Sequence, residues 1–111
     1  MPRVLELINE SGLGGGQTHV LDLSRGLAAR GRWLPEIGAT GGGPLEQAAR
    51  DASLPFHALP FDGAGAFGLI ADIRARIRDG KYDLVHTHGG IAGFWGRLAA
   101  LRTGVKLVHT L

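Results

Sequence analysis

Glycine clusters cut the chain into short pieces, and the pieces alternate between two hydrophobic periods. Val4-Leu5-Glu6-Leu7-Ile8 is a short apolar run closed by Asn9 and a glycine loop over residues 11–16, the pattern of a buried strand. From Gln17 or Thr18 the period lengthens. Val20, Leu23 and Leu27 recur at helical spacing, Leu21 and Ala28 widen the stripe, and Gly31 stops it. The same change of period then repeats. Residues 33–40 read as a second strand whose Pro35 places it near an edge or makes its start irregular. Pro44 opens a short helix over 45–52, and residues 56–59 form a third strand between two prolines. A glycine-rich connection over 61–67 leads to a helix striped by Leu69, Ile70, Ile73 and Ile77 and stopped by Gly80. Residues 83–88 are a fourth strand. Gly89-Gly90 turns the chain into a helix with Ile91, Phe94, Trp95, Leu98 and Leu101 on one face, and a fifth strand starts at Val105. The order β-α-β-α-β-α-β-α-β assigns the chain to the α/β class: a Rossmann-like, largely parallel sheet with helices on both faces and right-handed crossovers. No internal repeat or linker interrupts it. The last strand has no helix after it, so the sequence reads as the front part of something longer.

Composition narrows the function classes. Of 111 residues, 12 are basic and 10 acidic, a net charge of +2, and ten of the bases are arginine. That balance is too small to argue for a nucleic-acid partner, which needs clustered bases. The arginines at 74, 76 and 78 are expected to form a solvated helix face, with contact to a membrane or an acidic partner as the lesser reading. No apolar run approaches the ~20 residues that cross a bilayer, and charges interrupt the first six residues where a signal peptide would be apolar. The chain has no cysteine, which removes disulfides and thiolate chemistry and fits a reducing cytosol.

Ligands of open α/β sheets bind beyond the carboxyl ends of the strands, and two segments fall there. The first is Gly12-Leu13-Gly14-Gly15-Gly16-Gln17. Small residues let backbone N–H groups approach an anion, and the following helix N-terminus favours negative charge. It is not a dinucleotide fingerprint, because Gln17 stands where the third glycine belongs, and no Gly-Lys-Ser/Thr follows as in a Walker loop. A turn that only lets the helix pack on the strand fits the same residues. The second segment is His86-Thr87-His88-Gly89-Gly90. Residues two apart on a strand share a face, so the two imidazoles lie side by side, where they suit ligand binding, acid/base work or a metal. A metal site needs three or more ligands. Only His109 and nearby aspartates are at hand to add to the pair, so no metal site is expected. His19 reads as a polar helix-start residue, Phe94 and Trp95 read as core, and His57 carries no functional reading.

These segments together resemble a known family. Gly14-Gly15-Gly16-Gln17-Thr18-His19-Val20-Leu21, the helix end Leu27-Ala28-Ala29-Arg30-Gly31, Gly43-Pro44-Leu45, Asp83-Leu84-Val85-His86-Thr87-His88-Gly89 and Gly104-Val105-Lys106-Leu107-Val108-His109-Thr110 are similar, in order and spacing, to motifs of retaining glycosyltransferases of the GT-B fold, family 4. Lys106 departs from the usual proline. The resemblance implies that residues 1–111 are part of an N-terminal, acceptor-side domain. The C-terminal domain that holds most of the donor in such enzymes would be missing, and the chain would be inactive alone. It implies a nucleotide-sugar as substrate, no required cofactor, a glycan or lipid acceptor, and a cytoplasmic location that extends to the inner face of the membrane. It also implies roles: Gly14, Gly15, Gly16 and Gln17 toward the diphosphate or acceptor, His88 beside the transferred sugar as the catalytic residue, His86 holding the strand, and His109 on the cleft floor.

Two other readings fit the residues taken alone. One is a metal-dependent hydrolase built on His86-x-His88. The other is a non-catalytic α/β module that pairs with a second chain.

Overall fold

A computed structural model describes residues 1–10, 12, 14–63 and 65–110. Ser11 and Leu13 of the expected glycine loop, Ala64 of the expected connection and Leu111 of the expected fifth strand lie outside the described residues. The five strands are β1 (Arg3–Ile8), β2 (Leu34–Ala39), β3 (Phe56–Ala58), β4 (Leu84–His88) and β5 (Lys106–Thr110). They form one parallel sheet in the order β3-β2-β1-β4-β5, in line with the alternation of periods. Helices α1 (Gly15–Arg30), α2 (Pro44–Asp51), α3 (Gly65–Gly80) and α4 (Gly90–Ala100) make the crossovers.

The sheet separates two cores. Ile8, Val20, Leu21, Ile37, Leu45 and Ala49 pack together on the side of α1 and α2. Leu5, Leu7, Leu69, Ile73, Ile77 and Val85 pack together on the side of α3 and α4. Strand β1 serves both, because successive side chains leave opposite faces. Gly31 ends α1 in the left-handed region, at φ 70°, and donates its N–H to the Ala28 carbonyl, the stop that its sequence position indicates.

Three local expectations change. Helices α1 and α3 start earlier than their apolar stripes, at Gly15 and Gly65. The arginines of α3 are mostly not solvated. Arg74 donates to the last turn of α4, through the carbonyls of Leu98 (3.2 Å) and Ala99 (3.1 Å). Arg76 reaches His57 Nδ1 at 3.2 Å and lies over the Tyr82 ring, so of the three only Arg78 is exposed.

The largest change is in α4, whose apolar stripe faces outward. Its buried residues are Ala92, Gly93, Gly96 and Ala99, while Ile91, Phe94 and Leu101 are exposed. Close approach to the sheet decides this. A Cβ at Gly96 would stand 2.7 Å from Thr87 Cγ2 and 3.3 Å from Leu7 Cδ1, and one at Gly93 would stand 2.5 Å from His109 Cε1. The small side chains let the helix lie against β4 and β5, and the large ones are left on its far side. Trp95 is half-buried at the edge of the core.

Candidate functional site

Sheet register builds the site. Ile8 pairs with His88, and His88 pairs with Thr110, which sets these three side by side at the carboxyl ends of β1, β4 and β5. Two positions back along β1 and β4, Glu6 pairs with His86. Adjacent residues in a parallel ladder share a face, as do residues two apart on one strand, so Glu6, His86 and His88 converge on the α1 side of the sheet. Gly89 then turns the chain at φ 81° and donates its N–H to the Thr110 carbonyl at 3.0 Å. The positive φ explains a glycine there.

Above this row lies an open cavity of about 530 Å³. Gly15, Gly16, Gln17 and His19 of α1 line one side, His88, Gly89, Gly90 and Ile91 the other, and Asn9 and Glu10 the rim. The N-termini of α1 and α4 both open onto it, so its floor carries two positive dipole ends. Gln17 is buried, with Nε2 3.3 Å from Glu10 Oε2. Gly14 is the N-cap of α1, one residue outside the lining. The glycine loop and His88, far apart in sequence, thus meet at one sheet edge, and His19 joins them with its ring 5.8 Å from that of His88.

His109 does not join them. It pairs in register with Thr87 and lies 2.8 Å, through Nδ1, from Thr87 Oγ1 on the α4 side of the sheet. The fifth-strand residue at the cavity is Thr110, one position on.

Behind His88 is a residue that sequence reasoning passes over. Glu6 is fully buried, with Oε1 2.7 Å from His86 Nδ1 and 3.3 Å from His88 Nε2. His86 Nε2 is in turn 2.7 Å from Thr110 Oγ1. Burial pushes the Glu6 carboxyl up, but hydrogen bonds from His86 and His88 outweigh it and hold the group below the ordinary carboxylate range. The carboxylate accepts from both rings and so ties His86 to His88. The only signal in the sequence is an acid inside an apolar run, which alternation alone explains equally well.

Glu6 also corrects the count of metal ligands. Glu6, His86 and His88 each offer a donor atom, all within 4.8 Å of one another, so the third member of the cluster is Glu6 and not His109 or an aspartate. The spacing is that of hydrogen bonds. Two donors on one tetrahedral zinc, each ~2.0–2.2 Å from it, stand roughly 3.3–3.6 Å apart, farther than the 2.7 Å from His86 to Glu6.

A second buried carboxylate lies on the opposite face of the sheet, on β2 in register with Leu5. Glu36 accepts from Tyr82 (2.6 Å), His57 (2.7 Å) and Arg3. Burial raises its carboxyl, and the Tyr82, Arg3 and His57 hydrogen bonds together lower it below the ordinary range. His57 thus bridges Glu36 and Arg76. This network lies away from the carboxyl edge, where α/β sheets bind ligands.

Known proteins share the family pattern of this sequence and its fold. The family model for Glycosyltransferase Family 4 matches residues 13–111. D-inositol 3-phosphate glycosyltransferase from Acidothermus cellulolyticus is 31% identical over 127 aligned positions, covering 96% of this chain and 27% of that protein. The protein of the same name from Xylanimonas cellulosilytica is 34% identical, with 88% and 27% covered. The chain spans about a quarter of the length of these curated relatives. Among solved structures, MurG of Acinetobacter baumannii superposes with a TM-score of 0.80 at 19% identity, covering 98% of this chain and 34% of that one. HepE of Anabaena, in complex with UDP and glucose, superposes at 0.79 and 20% identity, with 100% and 30% covered. At such identities the likeness is one of fold.

Proposed function

The chain belongs to glycosyltransferase family 4, and from that premise we propose that it forms the acceptor side of a retaining sugar-transfer cleft whose donor side comes from protein outside these 111 residues. Family membership does not favour the metal-dependent hydrolase. The observation that carries the proposal is the convergence of Gly15, Gly16, Gln17 and His88 on one cavity at the carboxyl edge of the sheet. A nucleotide-sugar would present its sugar there. The bond from the anomeric carbon to the phosphate oxygen breaks, an acceptor hydroxyl attacks from the same face, and its proton leaves with the departing phosphate.

Each group then has a task. The N-termini of α1 and α4 favour the negative charge of the leaving diphosphate or of an anionic acceptor. Gln17 and Glu10 hydrogen-bond acceptor hydroxyls. His88 lies beside the sugar ring, where positive charge develops. The deprotonated Glu6, hydrogen-bonded by both rings, places negative charge behind His88. That sign stabilises an oxocarbenium-like carbon as it forms.

Amide chemical shifts of the 111-residue chain test this. Inositol, inositol 3-phosphate and simple glycosides are expected to shift Gly15, Gly16, Gln17, Gly89 and Gly90, while UDP-glucose binds more weakly than the micromolar range. Acceptor-induced shifts confined to other parts of the chain, or micromolar binding of UDP-glucose to this chain alone, would overturn the assignment.

A further inference from the structure

The hydrogen bonds behind the cavity converge on one atom. Glu6 Oε1 lies 2.7 Å from His86 Nδ1 and 3.3 Å from His88 Nε2. His86 Nε2 lies 2.7 Å from Thr110 Oγ1. The Glu6 carboxyl is fully buried and held below the ordinary range, so it is ionised at neutral pH. An ionised carboxylate oxygen has lone pairs and no hydrogen, so it only accepts. Both ring nitrogens that face it must then carry a proton.

That requirement fixes two tautomers. A neutral imidazole has one N–H, and its other nitrogen is an acceptor. Neutral His86 therefore holds its proton on Nδ1 and accepts, through Nε2, from the Thr110 hydroxyl. Neutral His88 holds its proton on Nε2 and keeps a lone pair on Nδ1. Thr110 directs its one hydroxyl hydrogen to His86, so its oxygen has only lone pairs left to offer.

Both lone pairs belong to the floor of the cavity. His88 and Thr110 line it and are paired in register. His88 Nδ1 has no hydrogen-bond partner among the described residues. The buried polar atoms without one among those residues are Glu6 Oε2, Ser24 Oγ and Arg76 Nε. His88 Nδ1 is not in that set and is thus open to the cavity. The floor offers acceptors, whereas the N-termini of α1 and α4 beside it offer N–H donors. A phosphate oxygen on the floor would meet lone pairs, and a hydroxyl would find acceptors.

We propose that Glu6 is a positioning residue that sets both tautomers, and that His88 Nδ1 with Thr110 Oγ1 forms a subsite for the hydroxyl groups of a sugar or polyol, not for phosphate oxygens. The hydroxyl subsite rests on the sugar-transfer reading. The tautomers are a property of the chain without ligand and stand apart from it.

Nitrogen-15 NMR of the histidine rings in the 111-residue chain tests this, at a pH well above the ordinary histidine value of ~6.5. His86 is expected as the Nδ1–H form and His88 as the Nε2–H form. Glu6→Gln should keep both, because the amide oxygen can take the place of Oε1 and leave the NH2 group at Oε2, which has no partner. Glu6→Leu removes the acceptor, and the His86 proton should move to Nε2 and bond Thr110. Thr110→Val, at a half-buried position, should leave His86 in the Nδ1–H form, because Glu6 and not Thr110 sets it. Circular dichroism checks the fold of each variant. The opposite tautomer at either wild-type ring, a folded Glu6→Leu chain that keeps Nδ1–H on His86, or a shift of that proton in Thr110→Val overturns the role of Glu6. Inositol should move the His88 Nδ1 resonance, and sulfate, which has no hydrogen to donate, should leave it in place. If inositol shifts the cavity amides and not Nδ1, or sulfate moves Nδ1 and inositol does not, the hydroxyl subsite falls. If inositol shifts amides only elsewhere, the sugar-transfer reading falls with the subsite, and the tautomers still decide the role of Glu6.

Discussion

Two glycine-to-alanine substitutions should move stability in opposite directions. Gly26 lies inside α1, and a Cβ there meets nothing within 4 Å. Alanine gains the helix-propensity difference, about 1 kcal/mol. Gly96 lies inside α4 and gains the same term, but its Cβ would stand 2.7 Å from Thr87 Cγ2. Thr87 is fully buried on a central strand, its Oγ1 is 2.8 Å from His109, and a β-branched residue has little rotamer freedom. The helix must therefore lift from the sheet, an overpacking cost of about 2–3 kcal/mol. The net expectation is a loss of roughly 1–2 kcal/mol at Gly96 and a gain of about 1 kcal/mol at Gly26. At roughly 4–5 °C per kcal/mol for a chain of this size, the two melting temperatures should differ by about 10 °C. Calorimetry of both variants beside the wild type gives the answer. If Gly96→Ala melts with or above Gly26→Ala, α4 does not rest on its small residues, and the outward placement of Phe94 loses its cause.

Other expectations concern charge. Glu6 and Glu36 both titrate below the ordinary carboxylate range in the folded chain. Their contribution is present above the unfolded carboxylate value, near ~4.3, and is lost as pH falls from there through the folded values. The melting temperature should thus drop below about pH 4.5, and less steeply in Glu6→Gln; an identical slope in that variant would remove Glu6 from the acid response. In the full-length transferase that the proposed function requires, His88→Ala should lower turnover by one to several factors of ten, at roughly 1.4 kcal/mol per factor, with donor affinity little changed. His86→Ala should act mainly on stability. Wild-type turnover in His88→Ala would leave the glycine loop as the sole site assignment.

The fold is legible in the sequence because its two signals agree. Period changes mark the elements, and Gly31, Pro44 and Gly80 mark their ends. The face shared by His86 and His88 follows from strand parity alone. Parity between strands is different. Whether His109 or Thr110 joins His88 depends on the register of β5 against β4, which no local pattern encodes. The interior of α4 is ambiguous for another reason. Ala92, Gly93, Gly96 and Ala99 form a helical stripe as regular as Ile91, Phe94, Leu98 and Leu101, and only the distance to the sheet decides which is inside. Arg74 and Arg76 escape a wheel-based reading because a long side chain can reach partners on another element, Leu98 and His57, whatever its place on the wheel. Glu6 is hidden by separation: its partners lie about eighty residues downstream.

That separation bears on how the chain reaches its fold. Strand β1 is central, yet its second neighbour, β4, is translated long after β2 and β3. A nascent chain that has made only the first three strands holds β1 as an open edge, the exposed strand geometry that invites pairing with other chains. Glu6 is on that edge, and without His86 and His88 its carboxylate must stay in water. Burying it against a foreign strand would strand an unpaired charge. Glu6 therefore disfavours pairing of that edge with any strand that brings no hydrogen-bond donor to its carboxylate.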